Sequence, residues 1–164
     1  MEVKIDSPDP NTHAGEIICR GTNLMLGYYK NPEATAQIID KDGWLHTGDL
    51  GTMDNQGYVT IRGRSKNLLL NSSGHNIYPE EIESKLNNML YVSESLIVLQ
   101  NDKLVALIYP DFDEAFANGL QQPDIEKAME NNRIELNLQL PSYSQITKVK
   151  IHFEEFEKTA KKSI

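Results

Sequence analysis

The chain has 164 residues, 39% of them hydrophobic and 24% charged, which is enough for one ordinary core or two small ones and argues against a disordered protein. Its 16 basic and 24 acidic side chains give a net charge of −8 without a long basic run, which argues against a nucleic-acid binder. No apolar run approaches the roughly 20 residues that span a bilayer, so no transmembrane segment is predicted.

The first residues and the single cysteine bear on whether the protein is secreted or stays inside the cell. Residues 1–4 lack the apolar stretch of a secretory signal, and the single cysteine, Cys19, cannot close an internal disulfide. The 4 histidines are far apart in the sequence and Cys19 has no CxxC partner, so no metal site is predicted. We therefore expect a cytoplasmic protein.

Glycine-rich, strand-like sequence fills the first part of the chain, up to a boundary after Ser65. Residues 16–20 and 58–62 have the composition and alternation of strands. Between them, residues 52–57 predict a hairpin turn, and Asn31 followed by proline predicts the capped start of a short helix. The first part is expected to be a small β-rich unit.

The second part carries helical patterns. A helix is predicted to begin at Pro79, and a second one over residues 123–140, ended by the following proline. The second helix would carry Ile125, Met129 and Leu136 on one apolar stripe. Strands are predicted over residues 96–99, 104–109 and 147–152. The predicted fold class is α+β, with the β-rich subdomain followed by a compact α+β domain whose helices pack on a small sheet.

Five short motifs, taken in chain order, carry the strongest functional signal. They are Gly15-Glu16-Ile17, Gly27-Tyr28-Tyr29, the run GWLHTGDLG from Gly43, the run GYVTIRGRSK from Gly57, and the run SGHNIYPEEIE from Ser73. In this order they are similar to the adenylate-forming (AMP-binding) superfamily, which includes acyl-CoA synthetases, luciferases and the adenylation domains of peptide synthetases. Within it, the chain most resembles the C-terminal part of long-chain fatty acyl-CoA synthetases, and the resemblance covers essentially the whole chain.

The resemblance implies a two-step ligase. Such an enzyme joins a fatty acid to the α-phosphate of ATP and releases pyrophosphate, and the thiol of coenzyme A then displaces AMP. Residues 1–65 would be the last β-rich portion of the large N-terminal AMP-binding domain, and residues 66–164 the C-terminal lid that rotates between the two steps. Magnesium would enter with ATP, held largely by the phosphates.

The resemblance assigns nucleotide contacts to Asp49 and Arg64. An ionised carboxylate presents two oxygens and fits both ribose hydroxyls, and a guanidinium fork suits the ribose and phosphate of AMP. The structural alternatives are a turn aspartate after a glycine and a solvent-facing arginine on a strand, the interpretation that we prefer for Arg62.

Four positions match the moving lid and the CoA site of the family. Lys66 matches the pivot at which the backbone changes between two states, although a plain linker lysine is compatible with that position. Gly74 would line the pantetheine tunnel, flanked by Ser73 and His75, or it would be an ordinary loop glycine with positive φ.

The C-terminal segment resembles the one that carries the adenylation lysine, which neutralises charge as the α-phosphate is attacked. The strict position is occupied by Ser163, so Lys162 is the candidate. The alternatives are a lysine beyond Ile164 and a frayed basic tail without a catalytic role.

The family's phosphate loop, rich in Ser, Thr and Gly, has no counterpart here. We therefore expect a fragment that is inactive alone, whose partner is the missing N-terminal domain and whose exposed cut surface promotes self-association. Two other functions stay open: a stand-alone, non-enzymatic lid-like module that binds CoA, a nucleotide or a protein, and an adenylation domain with a carrier-protein acceptor. Asp49, which the resemblance assigns to the ribose, favours the fragment over the stand-alone module. A lid that functions by itself would have no use for this residue without the rest of the nucleotide pocket.

Overall fold

A computed structural model describes residues 1–158 and divides the chain into two compact units, Met1–Asn67 and Leu68–Ile164. The boundary expected after Ser65 lies within two residues of this division. Both units contain strands and helices, and the predicted α+β class is confirmed. No helix of the described part is long and apolar enough to cross a bilayer.

The first unit is built on a four-stranded antiparallel sheet in sequential order. Its strands are β1 (Glu2–Asp6), β2 (Gly15–Arg20), β3 (Leu45–Met53) and β4 (Val59–Arg64), and one helix, α1 (Pro32–Ile38), lies between β2 and β3 in the chain. The predicted strands correspond to β2 and β4, whereas β1 and β3 were not predicted.

Local sequence accounts for the turns of this unit. The Asn31 side chain accepts a hydrogen bond from the Ala34 amide at 3.0 Å, so α1 has the predicted cap, with a proline at its first position. Asp54 opens the predicted hairpin turn, where its carboxylate accepts from the amides of Gln56 and Tyr58, both at 2.9 Å. Gly57 closes this turn with φ +86°.

The second unit combines a three-stranded sheet, a two-stranded ribbon and three helices. Its elements are β5 (Leu69–Leu70), β6 (Asn76–Ile77), α2 (Pro79–Leu86), β7 (Val92–Gln100), β8 (Lys103–Pro110), α3 (Phe112–Ala117), α4 (Gln122–Asn137) and β9 (Ile146–Ile151). Strands β7 and β8 form an antiparallel hairpin, and β9 pairs in parallel with β8. The helix α3 was not predicted, and α4 ends at Asn137 rather than at the proline that follows.

The hydrophobic core lies in the second unit. Helix α4 buries Ile125, Met129 and Leu136, the predicted stripe, against the sheet, and α2 adds Ile82 and Leu86. All thirteen residues of the main core cluster belong to this unit. The helices therefore pack on a small sheet, as predicted.

The first unit has almost no core of its own. Its only buried hydrophobic residues are Ile5 and Ile18. Large apolar side chains are instead exposed on it: Leu26 and Tyr29 are 103% and 87% exposed, and Tyr58 and Ile61 on and beside β4 are 69% and 66% exposed. A sheet of four strands normally buries one face, so this unit presents apolar surface that a partner could cover.

Candidate functional site

Asp49 and Arg64 occupy directly paired positions on the neighbouring strands β3 and β4. The Arg64 Nε donates to Asp49 Oδ1 at 2.9 Å, and Arg64 Nη1 donates to the Thr47 carbonyl at 3.4 Å. Both side chains remain accessible, 33% exposed for Asp49 and 60% for Arg64. The structure thus brings the two expected nucleotide contacts together at the surface of the first unit.

A bulge in β3 produces this arrangement. Glu16 of β2 pairs with Leu50, and Ile18 pairs with His46, so residues 47–49 stand against Ile17 alone. A bulge leaves backbone groups outside the ladder, and they need other partners. The bulged residues are Thr47, Gly48 and Asp49, the TGD of the third motif.

Side chains and backbone satisfy the polar groups of the bulge. The Thr47 hydroxyl donates to the Ile17 carbonyl at 2.7 Å and accepts from the Asp49 amide at 3.1 Å. Gly48 has φ +75°, a left-handed conformation that favours glycine, and its amide donates to Glu16 Oε1 at 2.8 Å. Thr47 and Gly48 therefore shape the turn.

His46, at the start of the bulge, lies between two carboxylates. Its Nδ1 is 2.7 Å from Glu16 Oε2, and its Nε2 is 3.7 Å from Asp40 Oδ2. The hydrogen bond with Glu16 is the main reason why the pKa of His46 is raised above its ordinary 6.5; partial burial opposes the shift, and the negative charges of Glu16 and Asp40 add to it.

Asp40 is itself held by the turn that precedes β3. Its Oδ1 accepts from the amides of Asp42 and Trp44 at 2.9 and 2.8 Å. The Trp44 bond is the largest cause of the lowered pKa of this carboxyl. Sequence reasoning missed both Glu16 and Asp40 as partners of His46; the available signal was an acidic residue at the start of an otherwise apolar strand, inside the first motif.

The loop that carries Ser73, Gly74 and His75 lies in the second unit, between β5 and β6. Asn71 Oδ1 accepts from the amides of Ser73 and His75 at 3.1 and 2.9 Å. Gly74 has φ +79°, and a Cβ added to it would meet no atom within 4 Å. The positive φ of Gly74 thus favours glycine at this position, and the space that a side chain would fill is open.

Two further contacts fix this loop. The Asp102 carboxylate, in the β7–β8 turn, accepts from the Ser72 amide at 2.8 Å and from the Ser72 hydroxyl. The His75 ring stacks on Tyr143 with centroids 4.5 Å apart and planes 9° from parallel. The loop is therefore pre-shaped, with its glycine accessible.

Two lysines complete the predicted set. Lys66 is exposed in a 3₁₀ turn, Ser65–Asn67, which ends the first unit. Lys162 lies outside the described residues. Within residues 1–158, no group of three or more His, Cys, Asp or Glu side chains is arranged to hold a metal ion.

Comparison with known proteins identifies the chain's relatives. No protein-family profile matches it. It is 49% identical over 98 residues to a propanoyl:CoA ligase of Rhodococcus jostii whose acyl group carries a methyl-dioxo-octahydroindenyl ring, covering 60% of this chain and 18% of that protein. It is 40% identical over 112 residues to a 2-methylpropanoate–CoA ligase of Humulus lupulus, covering 63% and 20%.

A third relative is the long-chain-fatty-acid–CoA ligase of Salmonella typhimurium, 48% identical over 86 residues, which cover 50% of this chain and 15% of that protein. The chain therefore spans about a fifth or less of the length of these three curated relatives.

Solved structures agree on the fold. The adenylation domain of a carboxylate reductase from Mycobacterium chelonae matches with a TM-score of 0.80 and 22% identity, over 96% of this chain and 26% of that one. The o-succinylbenzoate CoA synthetase of Bacillus subtilis, in complex with an acyl-adenylate intermediate, matches with a TM-score of 0.76 and 24% identity, over 99% of this chain and 32% of that one. The relatives with similar sequences are thus CoA ligases, and the solved structures that share the fold are an adenylation domain and a CoA synthetase.

Proposed function

We propose that this chain supplies the ribose-contacting and lid segments of an ATP-dependent long-chain fatty acid–CoA ligase and is inactive alone. The observation that carries the proposal is the Asp49–Arg64 pair: a carboxylate and a guanidinium, both accessible, held side by side on β3 and β4. The three relatives described above are named as CoA ligases, which supports the reaction class.

In this proposal the first unit belongs to a larger AMP-binding domain. Its two-residue core, Ile5 and Ile18, and its exposed side chains such as Leu26 and Ile61 support that assignment, because the remainder of the domain would cover them. The same surface would promote self-association of the isolated chain. Residues 1–65 are thus assigned to the large domain and residues 66–164 to the lid, in a cytoplasmic enzyme.

The resemblance assigns a role to each of these residues, and we propose the same roles here. Asp49 accepts hydrogen bonds from the ribose hydroxyls. Arg64 holds the Asp49 carboxylate in place, and its guanidinium group faces the ribose and the phosphate. Mg²⁺ enters with ATP on its phosphates. Lys66, exposed at the end of the first unit, is the pivot between the two half-reactions.

The remaining roles belong to the second half of the chain. The open face at Gly74, with Ser73 and His75 beside it, admits the pantetheine arm of CoA. Lys162 supplies the ammonium group for adenylation.

A chimera tests the reaction class without requiring the acyl pocket from this chain. The chain replaces the superposed segment of the Bacillus subtilis o-succinylbenzoate CoA synthetase, which then supplies the rest of the enzyme. We expect acid-dependent exchange of pyrophosphate into ATP, the measure of the first step, and formation of the CoA thioester, the measure of the second. A chimera that folds but catalyses neither step would overturn the proposal.

Substitutions in the chimera test the residue roles. Asp49→Asn and Arg64→Gln should each lower pyrophosphate exchange at least about tenfold, the effect of losing one charged hydrogen bond. Arg62→Gln, on the same strand, is the matched control. Lys162→Ala should abolish exchange but leave thioester formation from preformed acyl-adenylate, with Lys161→Ala as its control.

The long-chain preference rests on one relative, the Salmonella ligase. An antibody against this chain should detect a native protein several times larger than 18.6 kDa in the source cells. Assayed after immunopurification, that protein should prefer long-chain over short-chain acids. A native band at the size of this chain, or a preference for short acids, would contradict this part of the proposal.

A further inference from the structure

We propose that Glu16 is a positioning residue for the nucleotide site: its carboxylate holds the bulge at residues 47–49 in the shape that aims Asp49 at Arg64 and at the ribose. This inference rests on the proposed function and extends it to a residue that does not itself contact the nucleotide.

The need for such a residue arises from the bulge. Thr47, Gly48 and Asp49 stand against Ile17 alone, so the β2–β3 ladder does not fix their backbone. The direction of the Asp49 side chain depends on the φ and ψ angles of Gly48, a residue without side-chain restraint at φ +75°. On the other side of β3, the β4 ladder pairs with Asp49 and not with Thr47 or Gly48, so a constraint on the Gly48 backbone has to come from a side chain.

Glu16 supplies that constraint with both carboxylate oxygens. Oε1 accepts the Gly48 amide at 2.8 Å, and Oε2 lies 2.7 Å from His46 Nδ1. The Glu16 side chain therefore connects His46, the residue before the bulge, with Gly48, the residue in the middle of the bulge. Hydrogen bonds to an ionised acceptor are roughly twice as strong as neutral ones, which suits a carboxylate here rather than an amide.

The imidazole of His46 extends the same network. Its other nitrogen, Nε2, faces Asp40, whose second oxygen is fixed by the amides of Asp42 and Trp44. Glu16 and Asp40 are the charged groups that face the ring. The bulge is therefore braced from β2 and from the turn before β3.

The chain itself provides the first test, by NMR of the wild type and of Glu16→Gln. The variant keeps the size of the side chain but loses its charge. We expect exchange of the Gly48 amide proton with water to become about fivefold to tenfold faster. We also expect the His46 pKa to fall and the Arg64 Nε–H signal to shift, because Asp49 is no longer held in place.

Glu2→Gln is the matched control. It removes a carboxylate from β1 of the same sheet, where Glu2 pairs with Arg20 at 2.8 Å, and should leave all three signals unchanged. If Glu16→Gln folds, as judged by its β1–β2 amide signals, and leaves the Gly48 and Arg64 signals unchanged, the inference is wrong.

A measurement on the wild type keeps the idea testable if the variant does not fold. Since Glu16 contacts both groups, the Gly48 amide signal should titrate in the same step as the His46 ring. A Gly48 signal that does not respond to His46 ionisation would overturn the inference without any substitution.

The chimera separates this inference from the proposed function. There, Glu16→Gln should raise KM for ATP about fivefold with little change in kcat, whereas a purely structural role would lower the amount of folded enzyme and leave KM unaltered. If Asp49→Asn has no effect, the proposed function fails. If Asp49→Asn lowers exchange and Glu16→Gln leaves KM for ATP unchanged, only the positioning role fails.

Discussion

Arg64 Nε donates to Asp49 Oδ1 at 2.9 Å across directly paired positions of two antiparallel strands. The register of the two strands places the guanidinium beside the carboxylate, so the arginine does not have to reach the aspartate from a distant position. A ligand that binds here would therefore meet two groups already arranged, so that little side-chain ordering remains to oppose binding.

The pair should contribute little to stability, because both partners are solvent-accessible. A double-mutant cycle with Asp49→Asn and Arg64→Gln, measured by urea unfolding of the chain, should give a coupling of no more than about 1 kcal/mol. Coupling above about 2 kcal/mol would show that the pair is mainly structural. A small coupling, together with lost pyrophosphate exchange in the chimera, would assign the two residues to ligand binding.

The raised pKa of His46 predicts how stability depends on pH. Because the folded protein holds this proton more tightly than the unfolded chain does, protonated His46 stabilises the fold. This contribution is fully present below the ordinary pKa of 6.5 and is lost as the pH rises through the higher folded value. Urea unfolding at a series of pH values across this range should show it.

His46→Gln is the control for that titration. The variant should lose the decrease in unfolding free energy between mildly acidic and mildly alkaline pH. A variant with the same decrease as the wild type would assign the effect to other groups. Asp40 acts in the opposite direction, because its lowered pKa gives a contribution that disappears only in acid.

The sequence predicted those parts of the fold whose local signals are strong. Asn31 followed by proline gave the start of α1, and the stripe of Ile125, Met129 and Leu136 gave the buried face of α4. Helix α3 was missed because its six residues, capped by Asp111, are too few to show a helical period. Strand β3 was missed because its glycines and polar residues break the alternation that identifies a strand.

The site was predictable only in part. The motif positions indicated Asp49 and Arg64, and the structure places them in contact. The network of Glu16, His46 and Asp40 was not predictable, because it depends on the register between β2 and β3 and on a bulge within it. A change of register by one residue would turn these side chains to the opposite face of the sheet.

Gly74 and Gly119 offer a matched pair for the CoA proposal. Their φ angles are +79° and +81°, and a Cβ at either would meet no atom within 4 Å. Alanine at each should therefore cost about 1 kcal/mol of unfolding free energy, from backbone strain alone. In the chimera, only Gly74→Ala should also slow thioester formation from acyl-adenylate, since only this glycine lies in the proposed CoA loop. Equal rates for the two variants would make Gly74 an ordinary turn glycine.

Removal of the carboxylate charge of Glu83, on α2, should not destabilise the protein and is expected to stabilise it. Burial is the main cause of its raised pKa; the Ile97 amide, which donates to Glu83 Oε1 at 2.7 Å, opposes the shift, and nearby Glu80 adds to it. An acid with a raised folded pKa favours the fold when protonated, so its contribution is lost as the pH rises through that value. Above that raised pKa, the ionised, half-buried carboxylate therefore destabilises the second unit.

Glu83→Gln keeps an oxygen that can accept from the Ile97 amide and removes the buried charge. We expect an unfolding free energy at neutral pH that is equal to or higher than that of the wild type, together with a weaker pH dependence in the acidic range. Glu135→Gln, an exposed position on α4, is the control and should change neither quantity. A loss of more than about 2 kcal/mol in Glu83→Gln would show that the charge itself is needed, because its hydrogen bond to β7 then outweighs the cost of burying it.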